Sequence, residues 1–194
     1  MSEFAETYHL ETENQTESIA TLQRAGLHGW IFPPGNGWAT LIADGGVYGV
    51  PNPQLVAAAE VPLLYHVNAE DHGWMFAIFE GGVEVCHYEC LWIDIENTDE
   101  DTISIRDEGL DMNKVVRVAG RHGASGPETE EALRELLNPP DREWLRRYYL
   151  THAFTSVGAA FGDLLGLPHH RWIAAHYLER DERRGSPRSH AARV

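Results

Sequence analysis

A chain of 194 residues with 43% hydrophobic residues and six tryptophans has the material for one well-packed domain and is not a disordered chain. Its formal net charge of −15 argues against nucleic acid and anionic lipid as partners, and no apolar run approaches the ~20 residues that span a bilayer. The acidic start, Met1-Ser2-Glu3-Phe4-Ala5-Glu6, is unlike a secretory signal, so the expectation is a soluble, cytoplasmic protein.

In chain order, the alternation in Phe4–Leu10 predicts a strand. Asn14 or Thr16 caps a helix with Ile19, Leu22 and Ala25 on its buried stripe, and Gly26 stops it. Gly29–Phe32 reads as a strand, Pro33–Gly37 as a turn, and Trp38–Ala43 as a second strand; Asp44-Gly45-Gly46 turns it into a third, Val47–Val50. Asn52-Pro53 opens a helix that buries Leu55, Val56 and Ala59 and ends at Pro62. Strands follow at Leu63–Asn68, Trp74–Phe79 and Val83–Trp92, with turns at Ala69–Gly73 and Glu80–Gly82.

These elements carry an internal repeat. Gly37-Trp38 through Gly45-Gly46 aligns with Gly73-Trp74 through Gly81-Gly82 at a constant offset of 36, with Ile42 matching Ile78 and Asp44 matching Glu80. Each copy reads helix, strand, strand, strand. The fold class expected is therefore α+β: an antiparallel sheet of six to eight strands over residues 4–106 built from two such copies, their two helices on one face, and a C-terminal helical cap.

After the sheet, Asp94–Asp101 is too charged to be a core element and reads as a loop, with Thr102–Arg106 a short edge strand. Residues 119–127 read as a linker. Ser125 and Glu128 have capping-box spacing for a helix over 126–137. Pro139-Pro140 break it, and Asp141 caps a longer helix whose apolar face runs through Trp144, Leu145, Tyr148, Tyr149, Val157, Phe161 and Leu165. A last helix is expected over 170–180, with Trp172, Ile173 and Tyr177 inward. The expected organisation is an acidic duplicated region over 1–118, a helical region over 119–180 packed on it, and a mobile tail over 181–194.

Two imidazoles and two carboxylates lie within seven residues in His66-Val67-Asn68-Ala69-Glu70-Asp71-His72, which makes His66, Asp71 and His72 the candidate set for metal-assisted hydrolysis. The matching turn of the first copy, Pro33–Gly37, has no ionisable side chain, and the spacing fits no zinc pattern. In Cys86-His87-Tyr88-Glu89-Cys90 a strand places both thiols on one face and His87 and Glu89 on the other, so buried free thiols are expected. A calcium template started at Asn97 fails at Thr102, where it requires glycine. No metal and no cofactor are expected.

Charge is the strongest functional signal. Residues 1–113 hold 20 acids against Arg24 and Arg106 alone, whereas residues 114–194 hold 10 acids against 13 bases. Such a field attracts basic partners and speeds their encounter. The leading expectation is a non-catalytic binding protein that docks on a basic partner, of the immunity or antitoxin kind. Glu70, Asp71, Asp94, Glu96, Asp99, Glu100 and Asp101 would supply the charge, and Trp30, Trp38 or Trp74 an anchor if exposed. The alternatives are a small hydrolase using His66, Asp71 and His72, and an assembly subunit that dimerises through its C-terminal aromatics.

Overall fold

Alternation along Phe4–Leu10 makes β1, and Asn14 caps α1 (Gln15–Ala25) by accepting from the Thr16 N–H at 3.1 Å. Gly26 closes that helix in the left-handed region, at a φ of 67°. Strands β2 (Gly29–Ile31) and β3 (Ala39–Ala43) follow. Asn52 caps the short α2 (Pro53–Ala58), and β4 (Leu63–Ala69), β5 (Gly73–Glu80), β6 (Val83–Trp92) and β7 (Ile103–Arg106) complete the front of the chain. The rest holds α3 (Met112–Arg121), α4 (Pro127–Leu136), α5 (Arg142–Thr151), α6 (Val157–Leu164), α7 (Ala175–Arg183) and β8 (Ala192–Arg193). The structure is a computed structural model and describes residues 4–69, 72–92, 103–152, 155–171, 173–183 and 191–194. Among these residues no helix is long and apolar enough to cross a membrane.

The strands form one eight-stranded antiparallel sheet in the order β7-β6-β5-β4-β1-β3-β2-β8, so the fold is mixed α+β as expected. The first strand is inserted between β3 and β4, pairing Tyr8 with both Leu41 and Tyr65. Because side chains alternate across each strand, the sheet buries both of its faces. One face packs Tyr8, Leu10, Leu41, Leu63, Tyr65, Ala77 and Phe79 beneath Leu22 of α1 and Leu55 and Val56 of α2. The other packs Trp38, Leu64, Trp74, Phe76, Ile78, Tyr88 and Cys90 beneath Val115 of α3, Leu133 and Leu136 of α4, and Phe161 of α6. A third cluster seats Ile173 and Leu178 on Trp30, Phe32 and Ile42.

The second helical layer sits unusually close to the sheet. A Cβ on Gly158 would lie 2.7 Å from both Asn68 Oδ1 and Trp74 Cβ, and one on Gly162 would lie 2.4 Å from His170 Cδ2. Glycine at 158 lets α6 pack close on β4 and β5, and glycine at 162 makes room for the His170 ring.

Several expectations are corrected. Val47–Val50 form no strand: both sides of β3 are taken by β1 and β2, so the chain leaves the sheet after Ala43. The second matched stretch does turn tightly from β5 into β6, pairing Glu80 with Val83. The two front helices, α1 and α2, lie on one face, and the C-terminal helices α3 to α6 extend beyond a cap to cover the other. The residues before and within the supposed linker form α3, which Asp111 caps by accepting from the Lys114 N–H at 3.1 Å. A boundary at residue 118 would cut that helix and the core it shares with the sheet. Gly126, and not Ser125, is the N-cap residue of α4. The long helix after Asp141 is two helices, since Ser156 starts α6 afresh by accepting from the Ala159 N–H at 3.2 Å. The tail is tied down at its end: β8 pairs with β2, Arg193 lies over the Trp30 ring, and Val194 joins the core under α1.

Candidate functional site

His66 sits mid-strand on β4, where alternation turns it toward α6, and it is fully buried. Its Nε2 lies 3.0 Å from the Gly158 carbonyl, to which it donates. Its ring lies 6.3 Å from that of Phe161 and 6.0 Å from that of His170. Burial, reinforced by the neighbouring His170, lowers its pKa from 6.5 to about 3, so the ring is neutral at neutral pH. His72 is exposed at the start of β5, with its ring 5.8 Å from Phe4. Phe4 and Ala69 pair on the sheet face opposite that of His66. The structure therefore does not bring His66 and His72 together, and Asp71 lies outside the described residues.

The anchors proposed from the sequence are corrected as well. Trp30, Trp38 and Trp74 are each at most 2% exposed. Trp38 donates from Nε1 to the Leu165 carbonyl at 3.0 Å and stacks on His122, and Trp74 packs on Tyr88 and Phe161. All three hold the helical layers to the sheet. Glu70, Asp94, Glu96, Asp99, Glu100 and Asp101 lie outside the described residues.

Both cysteines are buried and free, with Cys86 and Cys90 on one strand face. Burial pushes both thiols upward, Cys90 to about 11, so neither is a reactive thiolate. His87 faces away, 3.7 Å from Glu84. Among the described residues no group of three His, Cys, Asp or Glu side chains stands close enough to hold a metal ion.

What the sequence did not reveal is the surface made by the chain after β3. Residues 44–50 cross the end of β1 and β4, and Val47, Tyr48 and Val50 remain 70%, 42% and 53% exposed. The loop is held from below. Glu6 accepts from the Gly49 backbone N–H, and Tyr65 donates to the same carboxylate at 2.6 Å. Burial, outweighing these two hydrogen bonds, raises the Glu6 pKa. The Tyr48 hydroxyl reaches the Asn68 carbonyl at 3.4 Å, and its ring lies 6.0 Å from Phe4. Phe4 thus touches both Tyr48 and His72, which puts the apolar loop beside the turn that His72 closes by donating its N–H to the Ala69 carbonyl. In sequence that turn carries Glu70 and Asp71. The loop's only sequence signal was an apolar trio between Gly46 and Pro51, which reads equally well as a strand.

The acidic portion is partly neutralised by bases from the second half of the chain. Arg121 pairs with Glu11 at 2.7 Å, Lys114 with Glu80 at 3.3 Å, and Arg193 with Asp44 at 3.3 Å. Comparison with known proteins finds no matching family model, no matching curated protein and no matching solved structure.

Proposed function

We propose that this chain is a non-catalytic acidic binding protein that docks on a basic partner protein, in the manner of an immunity or antitoxin-type inhibitor. The observation that carries the reading is the supported loop of Val47, Tyr48 and Val50. It offers apolar side chains to solvent beside a turn whose sequence is Glu-Asp. Binding surfaces place a few desolvating anchors at the centre and charge at the rim, and Tyr is a favoured anchor. Here Tyr48 takes the role that the buried tryptophans cannot. The doubled Gly-Trp passage then belongs to the scaffold: Trp38 and Trp74 both face the same helical layer. The two buried thiols support a cytosolic setting for this activity.

The test uses the tagged chain as bait, alongside a Val47→Asp/Tyr48→Ala double variant, at low and at moderate ionic strength. The expected result is a basic protein retained by the wild type, weakened by salt and lost with the variant while the variant's unfolding curve stays unchanged. Retention that neither salt nor the double substitution alters would refute the proposal.

A further inference from the structure

A concave surface lies in the helical layer, independent of the docking loop. Helices α4, α5 and α6 line an open cleft of about 530 Å³, a size common among small-molecule sites. Leu136 and Leu164 line it with apolar surface. Tyr148 of α5 and His152, the residue that caps its C-terminus, add a stacked pair of rings 3.9 Å between centroids and 13° from coplanar. Glu135 and Asp163 bring carboxylates to it from α4 and α6.

The two carboxylates are not equivalent. Asp163 is bound by the Arg171 guanidinium, and His170 Nε2 stands 3.3 Å from its other oxygen. The Glu135 carboxylate has no hydrogen-bond or ion-pair partner among the described residues. The Tyr148 phenol feels both: burial raises its pKa first, and the charges of Glu135 and Asp163 add to the rise, which reports negative potential in the cleft.

The geometry points to a binding site for a small organic cation, an amidinium, guanidinium or ammonium group carried on an apolar body. The cation would pair with Glu135 and lie against the Tyr148–His152 stack, while its body covers Leu136 and Leu164. A planar cation suits this arrangement best, because it both stacks on a ring and forks onto a carboxylate. Asp163 is satisfied by Arg171 and shapes the potential without being the ligand's partner.

Benzamidine and benzamide make a matched probe pair, nearly identical in shape and differing in charge. Titrating each into the full-length protein, with backbone amide shifts as the readout, should show saturable benzamidine binding centred on the amides around Leu136 and Leu164. Benzamide should bind at least about tenfold more weakly, the effect of one charge contact in a partly desolvated site. Glu135→Gln, at an exposed position whose carboxylate has no partner among the described residues, should bring benzamidine down to the benzamide level and leave benzamide unchanged. Equal binding of the two probes, saturable shifts centred elsewhere, or benzamidine binding that survives Glu135→Gln would each overturn the assignment. Because none of these readouts involves Val47 or Tyr48, their failure leaves the docking proposal standing, and the reverse holds.

Discussion

Moving the protein from about pH 7.5 to about pH 5 is expected to remove about 2 kcal/mol of stability through His66 alone. An unfolded His66 takes up a proton near its ordinary value of 6.5, whereas the folded one resists until about pH 3 because its ring is fully buried beside His170. Above about pH 7 both states are neutral and the residue contributes no pH dependence. Below 6.5 the unfolded chain holds the extra proton, so stability falls by about 1.4 kcal/mol per pH unit until the folded value is reached. The 1.5-unit gap between 6.5 and 5 is the origin of the figure of about 2 kcal/mol. Urea unfolding of the wild type and of His66→Gln at both pH values isolates the effect. Glutamine keeps a donor for the Gly158 carbonyl and does not titrate, and every other titrating group, the buried His9 included, acts in both proteins. Acidification should cost the wild type about 2 kcal/mol more than the variant. Equal losses would show that His66 is not held neutral by the fold. If the variant does not fold, ring NMR of the wild type decides the same question: a His66 that titrates near pH 6.5 in the folded protein refutes the reasoning.

Two further outcomes test how the helical layer is held. Gly158→Ala forces a methyl group against Asn68 Oδ1 and Trp74 Cβ and is expected to destabilise by about 1–3 kcal/mol. Gly120→Ala in α3, where a Cβ meets nothing within 4 Å, should instead stabilise by roughly 0.5–1 kcal/mol. Thermal unfolding that moved both variants the same way would contradict the close packing of α6. Trp38→Phe strips the Leu165 carbonyl of its indole donor and should cost about 1–3 kcal/mol in chemical denaturation, whereas an unchanged midpoint would remove that bond from the account.

The parts of the fold written in local chemistry were legible. Asn14, Asn52 and Asp141 cap the helices their positions announced, and the Glu80-Gly81-Gly82 turn makes the hairpin it resembled. Legibility failed where a decision belonged to the whole sheet. Nothing within Val47–Val50 records that β1 has already taken the place beside β3, so an apolar trio that looked like a strand became an exposed loop. In the same way, His66 and His72 are close in sequence, yet strand alternation sends His66 to the α6 side and leaves His72 against Phe4. The break at Ser156 was readable in principle, a capping residue directly before an apolar run, but the continuous helical period across it masked the signal. The α4–α6 cleft left no signal, because Glu135, Tyr148 and Asp163 come from three helices and meet only through packing.

The charge asymmetry, taken alone, overstates what the folded protein offers a partner. Of the twelve acids described within residues 4–113, six lie within ion-pair distance of an Arg or Lys, and three of those bases come from the second half of the chain. The remaining front-half acids, Glu3, Glu70, Asp71, Asp94, Glu96, Asp99, Glu100 and Asp101, fall in three short stretches that contain no Lys or Arg. Exposed ion pairs such as Arg121–Glu11 add little to stability, but each cancels a charge that would otherwise attract a partner. The exposed Glu13, Glu84, Asp107 and Glu108 also lack an Arg or Lys partner among the described residues, and the attraction any such acid exerts is limited to about a Debye length, roughly 8 Å at physiological salt. Under the proposed docking, a basic partner steered by these acids meets the protein near them. On the described surface, the loop of Val47, Tyr48 and Val50 is an exposed apolar contact that shares Phe4 with His72, the residue that follows Asp71 in sequence.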